Sequence, residues 1–271
     1  MSCYNFDLLT FDAGLFDSTI DATYIVHLEG NGRYENIITQ INEYKPTKNV
    51  YILLNKGYKK CKKLPHITNS CYDLIDANIY IFNDAEKKSY KNILVLEDDF
   101  IFSKEIKSSE HIKNINSFIK SHTDKKFLYL LGTVPLLYIP YNKYNFRTKS
   151  LGTHCVVFSK KLREHILLTH SKKRIKDWDF FNNSFMNKFT YHKPLCYQLL
   201  GETENYSFWG MNHNTIIQFL TIIPKSLIKF HRLDKQVEPG YSNLYTLSKY
   251  IFYIVVIIVV ILLIIMCRKR N

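Results

Sequence analysis

The sequence predicts an α/β domain built on a mostly parallel sheet, followed by one helix able to cross a membrane. Three observations lead there. Short apolar runs rich in β-branched and aromatic residues alternate with stretches of helical spacing, the βαβα order of such folds. One run, "KNILVLE" (91–97), is apolar almost throughout, as a central strand covered on both faces must be. Near the C-terminus, residues 250–266, "YIFYIVVIIVVILLIIM", carry no charge at all.

The elements follow in order. Residues 1–21, with Asp7, Asp12 and Asp17 and no basic start, read as an N-terminal extension and not as a signal peptide. "TYIVHLEG" (23–30) reads as the first strand and "GRYENIITQINEY" as the helix after it. "NVYILLN" (49–55) is a second strand, and residues 70–88 have helical spacing. After the strand at 91–97 comes a helix in "SSEHIKNINSFIKSH" with serine at its start. "KKFLYLLG" is a strand ended by Gly132, "GTHCVVFS" (152–159) another, and "KKLREHILLTH" a helix. The domain is expected to span 22–231. Residues 232–249, polar and holding Pro239-Gly240, read as a linker to the anchor at 250–266, and 267–271 form a basic tail.

The chain has 271 residues and a net charge of +13, with 46% hydrophobic residues, so it has material for a sizeable core. The positive balance favours an anionic partner: nucleic acid, an acidic membrane face or a phosphorylated small molecule. The lysines are scattered and do not form a basic stripe, so no nucleic acid is expected, and a metal-dependent nuclease is disfavoured. None of the six cysteines has metal or redox spacing, and no disulfide framework is expected; Cys155 and Cys196 sit in apolar runs and read as core. At 1.5 Å per residue the apolar run spans about 25 Å, near a bilayer's hydrocarbon thickness. This predicts a single-pass, tail-anchored membrane protein whose domain faces the cytosol. Arg268-Lys269-Arg270 after the span argue for the opposite orientation by the positive-inside rule.

"ILVLEDDFIF" (93–102) carries the chemistry. Glu97, Asp98 and Asp99 follow the apolar strand directly, at the carboxyl end where α/β sheets bind ligands. Adjacent carboxylates repel and resist desolvation. A hard divalent cation, Mn²⁺ or Mg²⁺, removes that repulsion and takes oxygen ligands from one or two carboxylates plus a phosphate. The plainer alternative is a solvated turn with an aspartate cap. Two further stretches are acidic. "IKDWDFF" has Asp177 and Asp179 around Trp178, which can equally be a helix cap beside a core tryptophan. "KPLCYQLLGETENYSFWG" (193–210) has Glu202 and Glu204 and then Trp209.

Taken in order, "YIVHLEGNGRYENI", "ILVLEDDFIF", "LGTHCVVFSKKLREHIL", "KDWDFF" and "KPLCYQLLGETENYSFW" resemble glycosyltransferase family 25, the lipopolysaccharide-biosynthesis and collagen galactosyltransferase-like enzymes. The version in large DNA viruses looks closest, and the likeness covers roughly residues 22 to 212. Only Arg33 stands where the family carries several arginines. The resemblance implies a GT-A-type nucleotide-sugar-binding sandwich and an Asp-x-Asp-like motif in Glu97-Asp98-Asp99. It implies that Asp99 ligates Mn²⁺ with help from Asp98, and that Glu97 meets the ribose of a nucleotide sugar, with a UDP-sugar expected. Arg33 or Lys56 is a guess for phosphate on position alone. The acceptor, a glycan or protein hydroxyl, needs a carboxylate base in an inverting transfer; Asp177 and Asp179 are the first candidates, Glu202 and Glu204 the second. Trp209 is a candidate for sugar stacking, and His154 for an acceptor contact or a core histidine. The alternative is a degenerate fold kept as a membrane or virion binding module. The sequons at 182–184 and 205–207 are expected to stay unmodified.

Overall fold

In the computed structural model, residues 2–199, 226 and 228–268 are described. The main sheet has seven strands in the order β1-β3-β2-β4-β7-β6-β8: β1 Tyr4–Thr10, β2 Ala22–Leu28, β3 Asn49–Asn55, β4 Asn92–Glu97, β6 Leu128–Asn142, β7 Asn145–Ser159 and β8 Lys188–Tyr191. A second small sheet pairs β5 (Phe100–Phe102) with β9 (Cys196–Gln198). The helices are α1 Tyr34–Tyr44, α2 Ser70–Lys87, α3 Ser109–Ser121, α4 Lys160–Lys172, α5 Trp178–Asn183 and α6 Gly240–Arg268.

The sheet is mixed. β3, β2 and β4 run parallel at its centre, joined by the crossovers through α1 and α2, and β6 is parallel to β8. The pairs β1–β3, β4–β7, β6–β7 and β7–β8 are antiparallel, so the expected parallel arrangement holds at the centre of the sheet and not at its flanks. The antiparallel half arises because β6 does not stop at Gly132. It continues to Asn142 and turns straight back as β7, so two runs read as separate strands form one long hairpin.

Alternation along β4 shows why its sequence is apolar throughout. Ile93 and Val95 pack on one face with residues of α2 and α4, while Leu94 and Leu96 pack on the other with residues of α1 and α3. The sheet is thus the middle of three layers, as a two-sided apolar strand requires.

Three expectations about the ends of the chain are corrected. The N-terminal extension contributes β1, an edge strand antiparallel to β3. That pairing carries Cys3 past the end of β3, where it forms a disulfide with Cys61, Cα to Cα 5.7 Å. The expected linker at 232–249 is largely helical: α6 starts at Gly240, and Tyr241, Leu244, Tyr245 and Ser248 are buried against a third core holding Val134, Tyr138 and Tyr197. Beyond Lys249, which donates to the His192 carbonyl, the same helix leaves the domain with nearly all its side chains exposed. Among the described residues α6 alone is long and apolar enough to cross a membrane, with a mean hydropathy of 3.4.

Candidate active site

The site forms where β4 ends. Glu97 closes the strand, Asp98 and Asp99 make the turn, and β5 carries the chain away to pair with β9, with Phe100 opposite Gln198. β7, antiparallel to β4, brings Thr153 and Gly152 to the same end. β9 can approach because Gly132 has no side chain: a Cβ there would lie 1.9 Å from the Cys196 carbonyl oxygen.

Asp98 is committed to the loop after β2. Its Oδ2 accepts from the Leu28 amide at 3.0 Å and from the Asn31 side chain, and lies 3.3 Å from His27 Nδ1; its Oδ1 accepts from Arg33 Nη1 at 2.7 Å. Burial pushes its pKa up, but His27, the Leu28 amide and Arg33 outweigh that and hold it below the usual carboxylate value. Arg33 also donates to Asp99 Oδ2 at 3.2 Å. Gln198 Nε2 donates to both Asp99 oxygens at 2.9 Å. Burial still keeps the Asp99 pKa raised, with Asp98 adding to it and Gln198 and Arg33 pulling back.

Glu97 is the least neutralised. Among the described residues its side chain accepts one hydrogen bond, from Thr153 Oγ1 at 3.2 Å. Burial first, then the charges of Asp99, Asp179 and Asp98, push its carboxyl up to about 8. Asp179, on the first turn of α5, points the same way: the Gly152 amide donates to its Oδ2 at 3.2 Å, and its Oδ1 is shielded from solvent with no hydrogen-bond partner among the described residues. Burial raises its pKa to about 6, against the pull of buried Lys188, itself lowered by burial to about 8.

Glu97, Asp98, Asp99, Arg33 and Asp179 therefore converge. Asp177 does not: it caps α5, accepting from the Phe180 amide at 2.8 Å, while Trp178 packs in the core against Phe82 and Phe158. His154 is fully buried, with Nε2 3.3 Å from the Cys196 carbonyl oxygen, and burial lowers its pKa to about 4. Glu202, Glu204 and Trp209 lie outside the described residues. Sequence reasoning missed Thr153, Gln198, Asn31 and Lys188. Gln198 ends "PLCYQ", and a polar residue closing an apolar strand was its available signal.

The donor set is hard oxygen, the kind a divalent cation takes, and the carboxyl pKa values are raised first by burial. Among the described residues no three His, Cys, Asp or Glu side chains form a ready-made metal cage. A cation that completes its shell with ligand phosphates does not need one.

No family model matches the sequence, and no curated protein does. Among solved structures, one similar chain is described as a glycosyltransferase involved in the glycosylation of the major capsid of PBCV-1; it has a TM-score of 0.40 and 12% identity, and the match covers 68% of this chain and 95% of that one.

Proposed function

We propose that the protein is a membrane-anchored glycosyltransferase with a GT-A-type domain, moving a sugar from a nucleotide sugar, UDP-linked by preference, to a hydroxyl acceptor. The observation that carries this is the convergence of Glu97, Asp99 and Asp179 at the end of a central strand, with carboxyl pKa values raised by burial and mutual repulsion. Asp99, with Glu97 beside it, would hold Mn²⁺ or Mg²⁺. Asp98, saturated by Arg33, Asn31 and the Leu28 amide, acts instead by fixing the loop after β2. When bound, the cation neutralises charge on the leaving diphosphate. Asp179 is the base: the acceptor oxygen bonds to the anomeric carbon, the bond to the diphosphate breaks, and the hydroxyl proton passes to its carboxylate. A pKa of about 6 suits a group that must be ionised yet basic near neutral pH. The single displacement inverts the anomeric centre.

One observation favours the second reading, a binding module without catalysis. Arg33, the basic residue expected at phosphate, is already engaged by Asp98 and Asp99. The test is Mn²⁺-dependent hydrolysis or transfer of UDP-sugars by the full chain in detergent; truncation before α6 would strip part of the third core. The enzyme reading expects turnover that rises with pH through about 6. It also expects a loss of about 10²-fold or more in Asp179→Asn and loss of metal dependence in Asp99→Ala. Failure of every nucleotide sugar to bind with metal would leave the binding module.

For orientation, two observations speak against the cytosol-facing expectation. The Cys3–Cys61 bridge suits an oxidising compartment. The Arg268-Lys269-Arg270 cluster suits the cytosolic end of the span. We infer a domain on the non-cytosolic face.

A further inference from the structure

An open cavity of about 520 Å³ lies against the foot of α6, lined among others by Phe230, Arg232, Gln236, Asn243, Leu247 and Tyr250, none of them a residue of the carboxylate site. It uses a second face of the helix. Tyr241, Leu244, Tyr245 and Ser248 point into the domain, whereas Asn243, Thr246, Leu247 and Tyr250, again at helical spacing, point into the cavity.

Its lining is ordered along the helix axis. Gln236 and Asn243 line it with Arg232, whose side chain has no hydrogen bond or ion pair among the described residues. Leu247 and Tyr250 follow in the direction of the span, with Tyr250 its first residue; from 243 to 250 the helix rises about 10 Å. Phe230, 80% exposed, is the most open large apolar side chain described. Lys229 and Lys235 are exposed nearby in sequence. Water-exposed aromatics and an exposed guanidinium just where an apolar helix begins are the composition of a bilayer interface, where rings sit at headgroup level and cations meet phosphate.

We propose that this cavity holds a phosphate-bearing lipid of the bilayer that α6 enters. Arg232 and Asn243 hold the headgroup, and Phe230, Leu247 and Tyr250 flank the first carbons of its chain. The proposal rests on the membrane-anchor reading and is independent of sugar transfer. The lipid is the occupant because α6 runs without a break from the cavity wall into the span, so the apolar end of the cavity opens at the lipid surface.

The test uses the full chain in vesicles of phosphatidylcholine and phosphatidylglycerol, with a benzophenone photo-crosslinker at Asn243, at Leu247, or at Leu168, exposed on α4, as control. Mass spectrometry is expected to find phospholipid adducts at 243 and 247 and none at 168. Arg232→Glu should cut the adduct at 243 by about tenfold, the worth of one charged hydrogen bond. Absence of lipid adduct at 243, an adduct to protein in its place, or indifference to Arg232→Glu overturns the proposal. Suppression by excess inorganic phosphate reassigns the cavity to a soluble anion and overturns it too. Release of the protein by alkaline carbonate removes the anchor and the lipid site together, while leaving the transferase reading to its own assay.

Discussion

At the scale of single residues, the site is a problem in charge. Four carboxylates, Glu97, Asp98, Asp99 and Asp179, share one end of the sheet, and Arg33 and Lys188 do not neutralise them all. Because Glu97 is held at about 8 against an ordinary 4.5, the folded protein keeps a proton there that the unfolded chain has released. The folded state binds more protons across that window, so stability falls as pH rises from about 4.5 to about 8. Glu97→Gln removes the titrating group. Thermal melts of the metal-free protein should show the wild type losing more stability than the variant between pH 6.5 and 8, above the range in which Asp179 and His154 titrate, as about 1.4 kcal/mol per pKa unit implies. Mn²⁺ should raise the wild-type melting temperature at pH 8 by more than that of Glu97→Gln. A wild-type curve no steeper than the variant's would mean that Glu97 is ionised and compensated. The sequence showed that three anions abut a buried strand. It did not show that Asp98 is spent on the β2 loop, because its partners lie some 70 residues away and meet it only once β2 and β4 pair.

At the scale of elements, the sequence was most legible where one element makes its own pattern. The two-sided apolar run of β4 and the helical spacing of α2 and α3 follow from local sequence alone. It was least legible where a partner decides. β1 carries exposed Asn5, Leu8 and Thr10, as an edge strand can, and looked like a polar extension. The foot of α6 looked like a linker because Pro239-Gly240 punctuates it. Yet Gly240 is there for closeness: a Cβ would lie 2.6 Å from the His231 carbonyl oxygen. Tyr241 in that foot donates to the Gln198 carbonyl, and Gln198 holds Asp99, so α6 braces the site. β1 has a brace of its own. The Cys3–Cys61 bridge closes a loop of 58 residues, and Lys63 joins Asp73, Tyr4 and Asn55 beside it. By loop-closure entropy a bridge of that span contributes about 4 kcal/mol. Cys3→Ala with Cys61→Ala should lower unfolding free energy by up to that amount in denaturant titrations, and reductant should bring wild type to the same midpoint. Equal midpoints without reductant would show that the bridge does not form.

At the scale of the whole molecule, the bridge, the span and the basic tail have to agree on one orientation. A cytosolic domain would hold Cys3 and Cys61 in a reducing medium and push Arg268-Lys269-Arg270 across the bilayer. A domain on the other face satisfies both constraints, with Arg268-Lys269-Arg270 at the cytosolic end of the span. The cost is that a folded mass of more than 200 residues must cross, which is why sequence reasoning favoured the reverse. Glycosylation is a poor reporter of the outcome at Asn182, which is fully buried and sits on α5. The informative experiment is protease treatment of sealed microsomes carrying the full chain with epitope tags at both ends. The N-terminal tag and the domain should survive until detergent is added, whereas the C-terminal tag should be lost at once. Blocking free thiols before reduction should then show Cys3 and Cys61 reacting only after reductant. Digestion of the domain in sealed vesicles would return it to the cytosolic face. The bridge would then need an oxidant other than the compartment's own poise, and the thiol readout would show whether it forms there at all.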